Sequence, residues 1–200
     1  MQEKLIYLIR HAQPDYPDGV RMCLGQKTNL PLSTYGFKQA KALSRLLEHA
    51  PIEAVYTSPL LRARQTAEAI AGRCRPLHVL DALIELDGGE WDGLTFDQLR
   101  SHYPQYFGQG RRASCPPGGE SDKDGLARAH AALAYIAAHT QSCAAAVAHS
   151  GINRLLLCDL CGLPFSEKKQ VSQGFAAVST LAYQNGVWTV KAISVPPQGE

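Results

Sequence analysis

Two arginines and two histidines lie beside the ends of predicted strands, and their side chains are suited to phosphate. Arg10 and His11 follow the first predicted strand directly, and His149 follows a later one. Arg62 lies in the first turns of the helix after the second predicted strand. Guanidinium groups bind phosphate oxygens in pairs, and imidazole is the side chain best able to attack or donate a proton near neutral pH. The four residues therefore predict phosphoryl chemistry at one site.

The fold must bring these side chains together, and the order of the predicted elements indicates how. Strand-like apolar runs alternate with helical patterns, which predicts an α/β fold, a three-layer α/β/α sandwich with a mostly parallel central sheet. In such sheets, ligands bind at the carboxyl edge, where Arg10, His11 and His149 leave their strands. The predicted strands are residues 5–9, 53–57, 77–80, 143–148, 175–183 and 187–194, with the last two forming a hairpin around residues 184–186.

Capping residues and apolar periodicity define the predicted helices. In the first of them, Phe37, Ala40, Leu43, Leu46 and Leu47 recur at helical spacing with polar residues between them, as on the apolar face of an amphipathic helix. The predicted helices are one begun by Ser33 or Thr34, one capped by Ser58 with Pro59 in its first turn and running to about residue 72, a short one capped by Thr95, a long one from Asp122 or Asp124 to about residue 139, and one from residue 151 to 161.

Composition limits the partners and the location of the chain. The 200 residues carry a net charge of only +2 without a basic block, so no long-range field would recruit nucleic acid or an anionic membrane. A chain of this length with 45% hydrophobic residues buries a core without a disulfide or a metal. No apolar run approaches the roughly 18 residues of a membrane span. We therefore expect a single-domain cytoplasmic protein.

Six cysteines are scattered through the chain, and only Cys158 and Cys161 are close in sequence. A C-x-x-C pair supplies half of a tetrahedral zinc site, but no second close Cys or His pair completes it. We therefore expect reduced thiols, with these two as small buried residues on a helix, and no bound metal.

Several stretches of the chain match a known set of motifs in both residue types and order. They are LIRHA at 8–12, LPLS at 30–33 with Gly36 and Gln39-Ala40, YTSPLLRARQTA at 56–67, LIELDGGEWDG at 83–93, PGGES at 117–121 and VAHSG at 147–151 with Arg154. In this order they resemble the histidine phosphatase superfamily, also called phosphoglycerate mutase-like, over nearly the whole chain. The resemblance implies the phosphoglycerate mutase-like sandwich as one domain over residues 1–200, with a flap near 105–121.

The resemblance also implies a role for each residue of the predicted site. His11 would attack phosphorus and carry a phosphohistidine until water releases phosphate. Arg10, Arg62 and His149 would bind the equatorial phosphoryl oxygens and stabilise their charge in the transition state. Glu85 would protonate the leaving oxygen and then deprotonate the attacking water. No metal and no cofactor are expected, because two guanidiniums and an imidazole supply the positive charge.

Composition alone leaves the acid open, because Glu85 has three acidic neighbours in Asp87, Glu90 and Asp92. The resemblance favours Glu85. We expect Arg64 to be structural, since it lies two positions after the predicted phosphate-binding arginine and points to a different helix face. The remaining histidines are expected at the surface: His49, His78, His102, His130 and His139.

Further candidates for contact with the phosphate or the rest of the substrate are Gln26, which follows Gly25, and Ser150. Trp91 either stacks on a substrate ring or packs under the acidic loop. Glu120 and Ser121 either contact the substrate or cap the long helix.

Ala12 departs from the family pattern, in which glycine usually follows the nucleophile. The added methyl group disfavours a positive φ where the backbone would approach phosphate. Two prolines at residues 14 and 17 stiffen the loop that follows, so this loop does not identify the substrate. We still expect an active enzyme, because some members of the family carry alanine at this position.

The predicted function is hydrolysis of a small-molecule phosphate monoester with release of inorganic phosphate. The short chain and the acidic loop at residues 85–95 look most like the small bacterial phosphatases typified by α-ribazole-phosphate phosphatase. α-Ribazole phosphate is therefore the leading candidate substrate.

Other functions remain as alternatives. A cofactor-dependent phosphoglycerate mutase would need priming by a bisphosphate, and a non-catalytic phosphate-binding protein would need a break in the set of site residues. A metal hydrolase using His11, His149 and Asp15 or Asp87 would lose activity with a chelator. A serine hydrolase is disfavoured, because no G-x-S-x-G elbow surrounds Ser150. The sequence leaves open whether the chain forms a homodimer.

Overall fold

Six strands form the central sheet: β1 (Lys4–Arg10), β2 (Ala54–Thr57), β3 (Leu77–Val79), β4 (Cys143–Ala148), β5 (Val178–Gln184) and β6 (Val187–Val195). The computed structural model describes residues 2–107 and 115–197. The strand order is β3-β2-β4-β1-β5-β6. The first four strands run parallel, whereas β5 pairs antiparallel with both β1 and β6.

Helices cover both faces of this sheet and make three layers. They are α1 (Thr34–Leu46), α2 (Leu61–Ala71), α3 (Phe96–His102), α4 (Pro104–Phe107), α5 (Asp122–Ala138) and α6 (Ser150–Leu160). One core cluster joins the sheet to α5 and α6, and the other joins it to α1 and α2. The prediction of an α/β fold with a mostly parallel sheet between two helix layers is confirmed.

The two central strands β1 and β4 place the site. Ile6 and Leu8 of β1 face one helix layer and Ile9 faces the other, as the two-residue period of a strand requires. The parallel register pairs Arg10 with Ala148, at the carboxyl ends of both strands. The residues that follow these ends therefore emerge side by side at one edge of the sheet.

The start of β5 lies three residues later than predicted. Ala176 has a positive φ of 56°, and its backbone N–H donates to the carbonyl oxygen of His11 at 3.2 Å. Ladder pairing with β1 begins only at Val178, opposite Ile9. The segment before this strand is thereby tied to the loop that follows β1.

The predicted N-cap of α2 is wrong. The helix begins at Leu61 with Leu60 as its N-cap, and the hydroxyl oxygen of Ser58 instead accepts a hydrogen bond from the Leu60 N–H at 3.3 Å. Pro59 thus precedes the helix rather than lying in its first turn. Ser58 is consequently free to contact another part of the chain.

The other predicted caps are in place. Ser33 caps α1 by accepting from the Gly36 N–H at 3.0 Å, and Thr95 forms a capping box on α3. Ser121 caps α5, because its hydroxyl accepts from the Asp124 N–H at 3.1 Å, and its contact with the substrate stays a prediction.

The buried stripe of α1 is narrower than its apolar pattern. Ala40, Leu43 and Leu47 are buried, but Phe37 and Leu46 are about half exposed, at 50% and 48%. The outer residues of the stripe therefore face solvent, whereas Ala40, Leu43 and Leu47 pack in the core with α2 and the sheet.

The thiols of all six cysteines are free. Cys158 is buried on α6, but Cys161 is exposed just after the end of that helix, so the expectation that both are buried is wrong for Cys161. Residues 108–114, which include part of the predicted flap, lie outside the described residues. Within the described ranges, no helix has the length and apolar character needed to cross a membrane.

Candidate active site

The four residues first singled out lie together at the carboxyl edge of the sheet. The backbone N–H of His11 donates to the carbonyl oxygen of Ala148 at 3.0 Å, which extends the β1–β4 ladder by one residue. The ring centres of His11 and His149 are 5.1 Å apart, and the planes are tilted by 57°. Both Arg10 and Arg62 are close enough to lower the pKa of each ring.

His11 is buried and held as a neutral imidazole. Its Nδ1 lies 2.7 Å from the carbonyl oxygen of Ala12. A carbonyl only accepts, so Nδ1 carries the proton and Nε2 is left with its lone pair. Burial, followed by the charges of Arg62 and Arg10, holds the pKa of His11 well below its usual value. An unprotonated ring nitrogen is the form that acts as a nucleophile.

Ala12 fits this turn without backbone strain. It is not among the residues with a positive φ, and its methyl group is fully buried in the core beneath α1 and α2. Its N–H donates to the hydroxyl oxygen of Thr66 at 3.0 Å, and the Thr66 hydroxyl donates to the carbonyl of Arg62 at 2.8 Å. The methyl group that replaces a hydrogen therefore serves packing.

His149 is completely buried beside His11. Its Nε2 lies 2.7 Å from the hydroxyl oxygen of Ser58, and its Nδ1 has no hydrogen-bond partner among the described residues. Burial is the largest cause that holds the pKa of His149 well below its usual value, and Arg62, His11 and Arg10 add to it. The ring is therefore a neutral group with one nitrogen left for a ligand.

Arg62 is a fully buried guanidinium without an ion-pair partner in the described part of the chain. Its Nη1 donates to the carbonyl of Thr28 at 2.9 Å and its Nη2 to that of Gly25 at 3.0 Å, while Nε has no partner there. Burial lowers its pKa, and the charges of Glu85 and Asp92 oppose this only in part. A buried unpaired cation is costly unless an anion binds to it.

Arg10, at the end of β1, has a similar arrangement. Its guanidinium carbon lies 3.8 Å from the ring centre of Phe175, and Nη1 donates to the carbonyl of Gln173 at 2.6 Å. Its Nε is buried without a partner among residues 2–107 and 115–197. Burial lowers the pKa of Arg10 to about 10, so the group stays positively charged at neutral pH. Together with Arg62 and His149, it leaves three buried nitrogens around His11 unsatisfied, which is unusual in a folded protein and marks a ligand site.

Glu85 is the acidic residue that contacts the start of α6. Its Oε2 accepts from the Gly151 N–H at 2.9 Å, and its Oε1 accepts from the Ile152 N–H at 3.0 Å and from its neighbour Leu86 at 2.8 Å. Its charge also favours the charged forms of Arg10 and Arg62. The carboxylate thus lies beside His149, which immediately precedes the helix.

The other three acids of this loop are engaged elsewhere. Asp87 accepts from the Gly89 N–H at 2.9 Å, and Glu90 accepts from the Tyr103 hydroxyl at 2.9 Å. Asp92 accepts from three backbone N–H groups of the loop that Arg62 also holds, those of residues 25, 27 and 28. Burial raises the pKa of Asp92, but a hydrogen bond from the Thr28 side chain and these backbone bonds together outweigh it and lower the pKa. Glu85 is therefore the acid that the structure brings to the histidine pair.

Gln26, a candidate for contact with the phosphate or the rest of the substrate, binds the acidic loop in this structure. Its side-chain amide donates to the carbonyl oxygen of Glu85 at 2.8 Å. Its contact with the site thus passes through the backbone of the acidic residue. Ser150, the other added candidate, is the first residue of α6 and is half-buried next to His149.

Arg128 supports Glu85 from α5, a contact that the sequence analysis missed. Its Nη1 donates to the carbonyls of Ala82 at 2.9 Å and Ile84 at 2.7 Å, and its Nη2 lies 3.4 Å from that of Glu85. Both Nε and Nη2 also bind the carboxylate of Glu120, at 3.0 and 2.7 Å. No sequence signal indicated this role, because the contact spans 43 residues.

An apolar cleft of about 680 Å³ opens from Glu85. We refer to it as the apolar cleft; among the described residues that line it are Cys23, Leu24, Leu86, Trp91, Tyr106, Pro116 and Phe165, with Lys168 and Lys169 also present. Trp91 both faces this cleft and packs edge-on against Tyr106 at 5.4 Å, so both proposed uses of it are compatible with the geometry. Volumes of this size hold small organic molecules.

The residues predicted to lie at the surface are exposed, with one exception. Arg64 is exposed and lies 4.0 Å from Glu68 on the same helix, as expected for a structural residue. Four of the five remaining histidines are exposed, whereas His130 is half-buried and lies 2.8 Å from Asp159. Within the described ranges, no group of three or more His, Cys, Asp or Glu side chains is placed to hold a metal ion.

Comparison with known proteins identifies the family to which the chain belongs. The family model described as histidine phosphatase superfamily (branch 1) matches residues 6–196. Phosphoserine phosphatase 1 of Hydrogenobacter thermophilus is 33% identical over 174 residues, which cover 82% of this chain and 79% of that protein. The probable phosphoglycerate mutase GpmB of Yersinia pestis (strain Pestoides F) is 28% identical over 200 residues, 98% of this chain and 92% of that protein. The structure of the mycobacterial glucosyl-3-phosphoglycerate phosphatase Rv2419c matches with a TM-score of 0.85 at 27% identity, over 97% of this chain and 100% of the other.

Proposed function

Because the chain belongs to the histidine phosphatase superfamily, branch 1, we propose that it hydrolyses a small-molecule phosphate monoester through a phosphohistidine on His11. The observation that carries this proposal is the state of His11. Its pKa is held well below the usual value by burial and by the charges of Arg62 and Arg10, its proton lies on Nδ1 against the Ala12 carbonyl, and its Nε2 keeps a lone pair.

In the first step, Nε2 of His11 attacks phosphorus as the bond from phosphorus to the leaving oxygen breaks. Glu85, protonated at this stage, gives its proton to the leaving oxygen, so an alcohol departs and a carboxylate remains. In the second step, this carboxylate takes a proton from water while the water oxygen attacks phosphorus. The N–P bond breaks, phosphate leaves, and both His11 and Glu85 return to their starting forms.

Positive and donor groups around His11 stabilise the charge on the phosphoryl oxygens in both steps. We assign this role to Arg10, Arg62 and His149, whose unpartnered buried nitrogens are Nε, Nε and Nδ1. Such donors are in position before the reaction begins, so they stabilise the transition state without reorganising. Ser150, at the start of α6, remains a candidate for a further contact with the phosphate.

Two observations support a small organic phosphate ester as the substrate: the apolar cleft and the names of the relatives. The apolar cleft beside Glu85 has room for an organic leaving group. Two relatives, one named phosphoserine phosphatase and the other glucosyl-3-phosphoglycerate phosphatase, have names that denote action on phosphate esters. α-Ribazole phosphate is the first nucleotide-like ester to test, because the aromatic side chains of the cleft suit a base.

The test is hydrolysis of p-nitrophenyl phosphate by the native chain and by His11→Ala, with and without a chelator. We expect chelator-resistant activity that falls about 1,000-fold or more in His11→Ala. The exposed His102→Ala serves as the matched control and keeps full activity. A phosphoenzyme that survives base and is lost in acid identifies the intermediate. Activity that a chelator abolishes, or that persists in His11→Ala, contradicts the proposal.

A mutase is the second candidate, favoured by the match to a probable phosphoglycerate mutase over 98% of this chain. A mutase returns the phosphoryl group to an alcohol instead of to water. Interconversion of 2- and 3-phosphoglycerate that depends on a bisphosphate primer, and that exceeds phosphate release, would establish it.

A further inference from the structure

A second cleft, of about 530 Å³, adjoins the site at Arg10. We call it the basic cleft, because four of its lining side chains are cations: Arg10, Arg21, Arg154 and Lys169. No acidic residue lines it in the described part of the chain. None of the four forms an ion pair with a described carboxylate either. No ion pair in the described part of the chain neutralises this concentration of positive charge, so it favours an anionic ligand.

Hydrogen bonds anchor two of the residues that line the basic cleft. Arg154 projects from α6 and donates its Nε hydrogen to the carbonyl of Val171 at 3.0 Å, which is its one hydrogen bond to a described residue. Its two Nη groups are thus left for a ligand. The second is the buried Gln173, whose side chain accepts from Asn153 at 3.1 Å and whose carbonyl accepts from Arg10.

Phe175 joins the basic cleft to the reacting centre. Its ring centre lies 3.8 Å from the guanidinium carbon of Arg10, 5.6 Å from that of Arg21 and 5.8 Å from the ring centre of His11. The aromatic ring favours both guanidiniums through cation–π attraction. Lys169 lines both the basic cleft and the apolar cleft.

Like charges within the basic cleft oppose one another. Arg154 and Arg21 both act to lower the pKa of Arg10, although burial is the larger cause, and Glu85 acts in the opposite direction on Arg10 and Arg154. Glu85 is therefore a carboxylate that acts on Arg10 and Arg154. A single charge on Glu85 does not balance four cations, and the proposed reaction takes up only Arg10 of the four.

We propose that the basic cleft is a second anion subsite, and that the substrate is a phosphate ester whose leaving group carries a further carboxylate or phosphate bound by Arg21, Arg154 and Lys169. The inference rests on the proposed function and refines its substrate. It ranks esters with a second anionic group above α-ribazole phosphate, whose leaving group is uncharged.

The test compares esters that differ in one anionic group. The carboxylate arm compares 3-phosphoglycerate with glycerol 3-phosphate, and the phosphate arm compares glucose 1,6-bisphosphate with glucose 6-phosphate. We expect kcat/KM to be at least about tenfold higher for the more anionic member of one pair, the effect of one charge-assisted hydrogen bond. The arm that shows the preference identifies the group.

Variants then locate the preference. Arg21→Gln, at an exposed position, should lower the ratio of kcat/KM within the preferred pair by about tenfold, and Lys169→Gln should lower it as well. The matched control is Arg45→Gln, an exposed arginine in the last turn of α1, which should leave the ratio unchanged. Inhibition of p-nitrophenyl phosphate hydrolysis by the same four esters gives a second measure that does not require their turnover.

The outcomes separate this inference from the proposed function. His11-dependent hydrolysis of p-nitrophenyl phosphate with no preference in either pair, or with a preference that Arg21→Gln leaves intact, overturns the second subsite alone. Activity that does not depend on His11 overturns the proposed function instead.

Discussion

The Nε2 atom of His149 lies 2.7 Å from the hydroxyl oxygen of Ser58, and both side chains are buried. The same oxygen accepts from the Leu60 N–H at 3.3 Å, and Nε2 is the one acceptor that the described residues offer to the Ser58 hydroxyl proton, so we assign that proton to the contact with Nε2. With Nε2 as the acceptor, the neutral ring carries its proton on the unpartnered Nδ1. Ser58 thereby sets the tautomer in which His149 donates to a bound phosphoryl group.

Ser58→Ala should therefore lower kcat for p-nitrophenyl phosphate by about tenfold to 100-fold, because His149 loses the contact that orients its ring and its proton. Thr140→Val removes another buried hydroxyl, next to the amino end of β4, and should leave kcat unchanged. Steady-state kinetics with circular dichroism on both variants decides the matter. Equal kcat in Ser58→Ala and the native chain would mean that Ser58 only packs.

Arg128→Lys tests the support of Glu85. Lysine cannot reproduce the paired contact with Glu120 or the bonds to the carbonyls of the acidic loop, so Glu85 should lose its position. An alkyl leaving group needs protonation more than p-nitrophenolate does. We expect kcat to fall about tenfold for glycerol 3-phosphate and less than about threefold for p-nitrophenyl phosphate.

Glu85→Gln removes the acid itself and is the reference variant. Its loss of kcat should also be larger for glycerol 3-phosphate than for p-nitrophenyl phosphate, and the difference should exceed that of Arg128→Lys. The exposed Arg100→Lys should show no loss with either substrate. If Arg128→Lys loses the same factor with both substrates, its contribution is to folding rather than to the placement of the acid.

Gly36→Ala should destabilise the protein. In a helix, alanine is ordinarily more favourable than glycine by about 1 kcal/mol, but here its methyl group would clash. A Cβ at Gly36 would lie 2.1 Å from the carbonyl oxygen of Gln13, which is backbone and is already bound by the Ser33 N–H. Overpacking of this kind costs about 1–3 kcal/mol. Denaturant unfolding should therefore show a lower midpoint for Gly36→Ala than for the native chain. The control variant Ser44→Ala, on the same helix, should not lower the midpoint. A raised midpoint in Gly36→Ala would refute the clash.

Stability should fall as the pH drops below the ordinary histidine value, because the pKa values of His11 and His149 are both well below it in the folded protein. Above about pH 7.5 both histidines are neutral in the folded and unfolded states, so they contribute no pH dependence. Below about pH 6.5 only the unfolded chain takes up their protons, which favours unfolding. Each histidine should lower the free energy of unfolding by about 1.4 kcal/mol between pH 7.5 and 5.5.

The measurement is urea unfolding at both pH values. His149→Gln should show a decrease smaller by about 1.4 kcal/mol than that of the native chain, and the exposed His102→Gln should match the native chain. A native chain whose stability is the same at both pH values would show that these rings are protonated in the folded state.

Much of the fold follows from local patterns in the sequence. Apolar runs of strand length, the caps Ser33 and Thr95 and the alternation of strands with helices act over a few residues, and all six predicted strands are present. The same patterns place Arg10, His11 and His149 at strand ends, and the parallel direction of those strands brings the ends to one edge.

Contacts between distant segments were not accessible in this way. Ser58 has the chemistry of an N-cap, but its hydroxyl contacts His149, 91 residues away. Four carboxylates of one loop look alike in sequence, and only the position of α6 distinguishes Glu85, through the N–H groups of residues 151 and 152. Arg21, Arg154 and Lys169 come from three separate segments that meet in one cleft. Periodicity and turn chemistry report on neighbours along the chain, whereas the partner of a polar side chain depends on how whole elements pack.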